Sequence, residues 1–144
     1  GADGTYRLAA HDPIPFDVLE RDMLIQPMMA SVASEGEYSL FYFGVAFSHA
    51  ILKKPAAGDF RVQEQFGGHE VAVEAPAPAR ALAQQTLAAS PVAPLYARID
   101  MVRDDADGSF RLMELEVIEP ALFLSFAPDE GRLFAKAVHA QLTS

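Results

Sequence analysis

The sequence predicts an α+β fold, a mainly antiparallel sheet packed against a few helices, and three observations carry that expectation. Tyr38 to Val45 and Ala46 to Lys53 are adjacent runs rich in aromatic and apolar residues, and Leu95 to Met101 and Leu112 to Val117 each alternate apolar with polar side chains. Two stretches opened by proline repeat apolar residues at helical spacing. Apolar residues make up 51% of the 144, enough to bury a real core in one compact domain or two small lobes.

The elements follow in chain order. Asp22 to Met29 reads as a buried strand interrupted by Pro27, which belongs at an edge or a bend because proline offers no ladder donor. Glu35-Gly36-Glu37 marks a turn. The runs 38–45 and 46–53 are joined tightly at Gly44 and are expected to pair. Pro55 to Gly68, with three glycines and few aliphatic residues, reads as a loop. After Pro76 and Pro78, the spacing of Ala79, Leu82, Ala83, Thr86 and Leu87 predicts a helix that Pro91 closes.

The next pair of runs carries the chemistry. In a strand, Leu95, Ala97, Ile99 and Met101 share one face while Arg98 and Asp100 share the other. Asp104 to Ser109 is rich in residues that tolerate turn dihedrals, so the two runs fold into a hairpin that sets Asp100 opposite Glu114 and Glu116 opposite Arg98. A last helix is expected to start near Pro128, with Asp129 and Glu130 in its first turn and Leu133, Phe134, Ala137 and Val138 as its inner stripe.

Crowding Asp100, Glu114 and Glu116 on one face requires compensation. Two carboxylates ~5 Å apart at an effective dielectric of ~20 repel by roughly 3 kcal/mol. A divalent cation reverses the sign, and oxygen-only ligands suit Mg²⁺ in nucleotide chemistry. The alternative is a solvated polar face on which Arg98 pairs with one acid and water screens the rest; the apolar residues flanking both strands argue against it.

Composition excludes several classes. A net charge of -9 without a basic run argues against a nucleic-acid or anionic-membrane partner. No apolar stretch is long enough to span a bilayer, and no signal peptide is recognisable. The lack of cysteine leaves no disulfide or thiolate metal site, and a cytoplasmic location is the expectation. His11, His49, His69 and His139 show no ligand-like spacing and read as structural or exposed.

Taken together, Tyr96-Ala97-Arg98-Ile99-Asp100, Met113-Glu114-Leu115-Glu116, Glu35-Gly36-Glu37, Lys53-Lys54-Pro55 and Gly58-Asp59-Phe60-Arg61 followed by Gly67-Gly68 resemble the ATP-grasp superfamily of carboxylate-amine ligases. Within it the chain is most similar to the ATP-binding region of prokaryotic glutathione synthetases and to the small ligases of cycloserine-type biosynthesis. The resemblance implies an ATP-grasp-like fold and an acyl-phosphate mechanism on small-molecule carboxylate and amine substrates, with ATP and Mg²⁺, or Mn²⁺ in its place, as cofactors. Asp100, Glu114 and Glu116 would bind the metal. Arg98 would touch phosphate, and Lys53 and Arg61 would contact the phosphates or the acyl phosphate. The backbone of Gln26-Pro27-Met28-Met29 would meet adenine, and Glu35 or Glu37 would hold the ribose.

Two departures qualify the resemblance. Glu116 stands where many relatives have asparagine, which adds a negative charge while still offering oxygen. The family's nucleotide-binding lysine, most of its glycine-rich lid and its amino-terminal domain would lie upstream of residue 1, so residues 1–144 read as the C-terminal portion of an ATP-grasp domain. Such a fragment is expected to fold, to be inactive alone and to tend to dimerise through its exposed face. A non-catalytic interaction module derived from the fold and a metal-dependent phosphohydrolase are the rival readings.

Overall fold

The computed structural model describes residues 6–56 and 67–143. Its centre is a five-stranded sheet in the order β3-β2-β1-β4-β5, built from β1 (Glu37–Phe43), β2 (Ala46–Lys54), β3 (His69–Val73), β4 (Tyr96–Arg103) and β5 (Phe110–Glu116). Every neighbouring pair is antiparallel. The α+β expectation therefore holds, as do the tight β1–β2 connection and the β4–β5 hairpin.

Alternation along the strands decides the two faces. Tyr38, Leu40 and Tyr42 of β1, Ala50 and Leu52 of β2, and Ala97, Ile99 and Met101 of β4 form the apolar face, onto which helix α2 (Ala77–Ala89) packs. Pro78 lies in the first turn of α2, where its missing N–H costs nothing. Ala79 and Ala83, one helical turn apart, are fully buried, and their small side chains let the helix lie close to the sheet. Tyr38 meets Phe110 edge-on at 5.3 Å.

The opposite face is polar in its middle and covered at both ends. At one end the short helix α1 (Ser31–Ser34) brings Val32 onto Val102. At the other, Phe134 of helix α3 (Arg132–Leu142) packs 5.1 Å from Phe43 and 6.2 Å from Tyr96. The inner stripe of α3 is half-buried, as its spacing predicts.

Gly36 fixes where β1 begins. Its φ is +116°, and a Cβ there would stand 2.5 Å from the carbonyl oxygen of Lys53. No other residue type allows β1 to start so close to β2, and the close start sets Glu37 opposite Lys53.

Two expectations are corrected, and one element was not foreseen. Residues 22–29 form no strand and are almost entirely exposed, with Leu24 at 98% and Ile25 at 92%; an apolar run containing a proline found no neighbouring strand to pair with. The last helix starts at Arg132 rather than near Pro128. Asp129 precedes it and accepts from the amides of Gly131 at 3.2 Å and Leu133 at 2.7 Å, while Glu130 and Gly131 take left-handed conformations that stop the helix from beginning earlier. Strand β3, short and at the sheet edge, was not expected from His69-Glu70-Val71-Ala72-Val73.

Candidate functional site

Strand register stacks the polar face in rows. Lys53 faces Glu37; Ile51, Ser39, Asp100 and Glu114 form the next row; His49, Phe41, Arg98 and Glu116 form the one after. The β4–β5 register slips by one between Asp100 and Met101, leaving Met113 as the extra residue on β5. Asp100 opposite Glu114 and Arg98 opposite Glu116 are the pairings that the hairpin reading predicts.

Asp100 sits at the centre with only 3% of its side chain exposed. The Ser39 hydroxyl donates to its Oδ1 at 2.5 Å, Arg98 Nε reaches Oδ1 at 3.2 Å and Oδ2 at 3.0 Å, and Lys53 Nζ donates to Oδ2 at 3.3 Å. Lys53 also donates to Glu37 Oε1 at 3.2 Å. The guanidinium of Arg98 pairs with Glu116 and stands 3.9 Å from Glu114. Burial, with the nearby Asp100 charge, raises the Glu37 carboxyl above its usual range even though Lys53 pulls the other way.

Counting charge shows what this arrangement lacks. Among the described residues, four carboxylates, Glu37, Asp100, Glu114 and Glu116, face two cations, Lys53 and Arg98, an excess of two negative charges. One divalent cation cancels that excess. Asp100, Glu114 and Glu116 each offer an oxygen within 4.8 Å of the others. Around octahedral Mg²⁺ trans oxygens are about 4.2 Å apart and cis oxygens about 3 Å, so the three must draw together by up to about 1.8 Å to ligate one ion. The donors are all hard oxygens, as Mg²⁺ or Mn²⁺ prefers. Glu114, with 61% of its side chain exposed, is the open flank.

The remaining candidates lie elsewhere. Both carboxylate oxygens of Glu35 are engaged away from the cluster: Tyr38 donates to Oε1 at 2.7 Å and Arg103 Nε to Oε2 at 3.1 Å. Burial acts to raise the Glu35 carboxyl, but those two hydrogen bonds outweigh it and hold it below the usual range. Gln26 and Met28 lie in the exposed run ahead of α1, and neither is drawn into the cluster. Arg61 and the Gly58-Asp59-Phe60-Arg61 motif lie outside the described residues.

Two participants escaped the sequence reading. Ser39 is the single non-aromatic residue with a hydroxyl in the run Tyr38 to Phe43, and its place two residues after Glu37 is a signal that alternation could have supplied. Arg103 joins α1 to the hairpin: beyond Glu35, its Nη1 donates to Gly108 at 3.0 Å, its guanidinium lies 4.5 Å over the Phe110 ring, and its carbonyl accepts from Ser31 Oγ. The Ser31 amide adds a 2.9 Å bond to Asp105. No local pattern announces partners so far apart in sequence.

No family model matches the chain. Over 127 residues it is 36% identical to the cycloserine biosynthesis protein DcsG of Streptomyces lavendulae, an alignment covering 83% of this chain and 42% of that protein. The crystal structure of D-cycloserine synthetase DcsG matches with a TM-score of 0.70 at 35% identity, over 81% of this chain and 41% of that one. D-alanine–D-alanine ligase from Bacillus anthracis, complexed with ATP, matches with a TM-score of 0.51 at 22% identity over 74% of this chain and 38% of that one, a likeness of fold alone. The chain thus spans about two fifths of the length of these relatives.

Proposed function

The chain belongs to the ATP-grasp superfamily, and on that premise we propose that it supplies the metal- and phosphate-binding face of a ligase that joins a small carboxylate to an amine or similar nucleophile, coupled to ATP. The observation that carries this reading is the cluster on β1, β2, β4 and β5, whose three convergent carboxylates and two excess negative charges suit a divalent cation. Asp100, Glu114 and Glu116 would hold Mg²⁺, with Mn²⁺ as an alternative. Bound there, the metal would supply charge neutralisation for the triphosphate during phosphoryl transfer to the substrate carboxylate.

The chain's own side chains do the rest. Arg98 and Lys53, held against Asp100 by hydrogen bonds, present fixed positive charge beside the carboxylates, so little reorganisation is needed when an anion arrives. Ser39 fixes the orientation of Asp100. Of the two acids proposed for the ribose, Glu37 shares the face of the cluster, whereas Glu35 is committed to Tyr38 and Arg103. Gln26 and Met28 would offer backbone groups to adenine from an exposed run, and Arg61 would act on the acyl phosphate. In the second half-reaction the amine displaces phosphate from that acyl phosphate. The similarity to the cycloserine biosynthesis protein favours a small, amino-acid-like substrate.

Phosphate release from ATP by the protein that carries this chain tests the reading. Release is expected only with Mg²⁺, a small carboxylate and an amine all present. Release without an amine would instead point to a phosphohydrolase, and failure to bind any nucleotide to an interaction module.

A further inference from the structure

The segment after Glu116 does not leave the sheet; it crosses it. Leu122 lies six residues beyond Glu116, yet its carbonyl accepts from Nε2 of His49, on a strand three places away. Three strand spacings of about 4.8 Å make about 14 Å, and six residues reach at most about 20 Å, so the chain, once past Val117, which still packs on the apolar core, must pass almost directly over β4 and β1 at residues 118–121. They pass over the polar face, because His49 and Phe41 belong to it. The Phe123 ring then rests 6.0 Å from Phe41 and 6.3 Å from Phe126.

This strap starts from Glu116 and ends against His49 and Phe41, which share the row that contains Arg98. It is strained: Glu119 and Phe123, neither of them glycine, have φ of 58° and 46°. Such conformations persist only where their surroundings hold them. His49 is the polar anchor. It is buried, its ring stacks on Phe41 at 4.3 Å and 7°, and its Nδ1 lies 2.9 Å from Ser48 Oγ. Since a carbonyl can only accept, Nε2 carries the proton, and Nδ1 of the neutral ring accepts from the Ser48 hydroxyl. Burial keeps the ring neutral by lowering its pKa.

We propose that His49 is a positioning residue: by holding the Leu122 carbonyl it pins the 118–126 strap across the sheet and so fixes Glu116 and Arg98 in the geometry that binds the metal. The proposal rests on the metal-binding reading above.

Its test compares His49→Phe, which keeps a ring on Phe41 but removes the donor, with His49→Gln, whose amide restores one near the same place. Two readouts are taken on the chain: hydrogen exchange of the 118–126 amides, and calorimetric titration with Mn²⁺. In His49→Phe, exchange over the strap is expected to accelerate at least 10-fold and Mn²⁺ affinity to fall about 5-fold, with His49→Gln recovering most of both. Unchanged exchange in His49→Phe would show that His49 does not hold the strap. Faster exchange with unchanged Mn²⁺ affinity would show that the strap does not order the cluster. If the unsubstituted chain binds no Mn²⁺, the metal reading fails, the link to metal geometry fails with it, and the exchange arms decide alone whether His49 pins the strap.

Discussion

Asp100 and Glu114 face each other across one strand pair and have opposite relations to stability. Asp100 is buried and accepts from Ser39, Lys53 and Arg98, so removing it takes a buried acceptor from all three, leaving Lys53 to Glu37, and Arg98 to Glu116 and the more distant Glu114. Asp100→Ala is expected to destabilise the chain by about 3 kcal/mol, whereas Glu114→Gln, on a largely exposed side chain, should stay within about 0.5 kcal/mol. Denaturant unfolding of the two variants measures the difference. Glu35 adds a pH dependence of known sign. Its folded pKa lies below the ordinary value of 4.5, so its contribution is complete above that value and is lost as pH falls through the folded pKa. Glu35→Gln should therefore cost about 1 kcal/mol at neutral pH and progressively less below pH ~4.5, as unfolding curves across that range will show. Alternation revealed which residues share the polar face. It could not reveal that Glu35 would spend both oxygens on Tyr38 and Arg103, because Arg103 comes from a strand that the turn at 35–37 says nothing about.

Among the elements, the β4–β5 hairpin was the most legible, since two alternating runs around a turn-rich segment show which side chains share a face, although nothing in them announces the bulge at Met113. Helix α2 was equally plain from its prolines and its alanine spacing. The misread element was the run 22–29, where hydrophobicity alone suggested burial; a strand also needs a neighbour, and sequence does not say whether one is present. The strap over the polar face was invisible for a related reason: it is held by His49 and Phe41 from strands earlier in the chain. Gly36 gives the element-scale test. Gly36→Ala forces a Cβ against the Lys53 backbone at positive φ and is expected to cost more than ~2 kcal/mol, while Gly108→Ala, with positive φ but nothing within 4 Å, should cost about 1 kcal/mol. Chemical denaturation distinguishes them.

At the scale of the whole molecule, apolar surface is unevenly distributed. Of the large apolar side chains left exposed, Tyr6, Leu8, Ile14, Phe16, Leu19, Met23, Leu24, Ile25 and Met28 all lie ahead of α1, away from the sheet core. A concentration of this kind favours association. Sedimentation of the chain is expected to show an average mass that rises with concentration, and Leu24→Ser combined with Ile25→Ser should reduce the rise. The polar face, by contrast, concentrates charge, with Lys53, Arg98 and four acids gathered from four strands. A sheet that brings these residues to one place, in a chain 36% identical to a cycloserine biosynthesis protein over 127 residues, is the basis of the ligase reading.

Calorimetric titration of the chain with Mn²⁺, beside its Glu114→Gln and Glu20→Gln variants, tests that reading most directly. Glu20 is exposed and lies in the run ahead of α1, so it reports the effect of losing one carboxylate anywhere. One ion per chain is expected, with an affinity lowered about 10-fold or more by Glu114→Gln (~1.4 kcal/mol) and no such loss with Glu20→Gln. Equal affinities in the two variants, or no saturable binding in the unsubstituted chain, would contradict that reading.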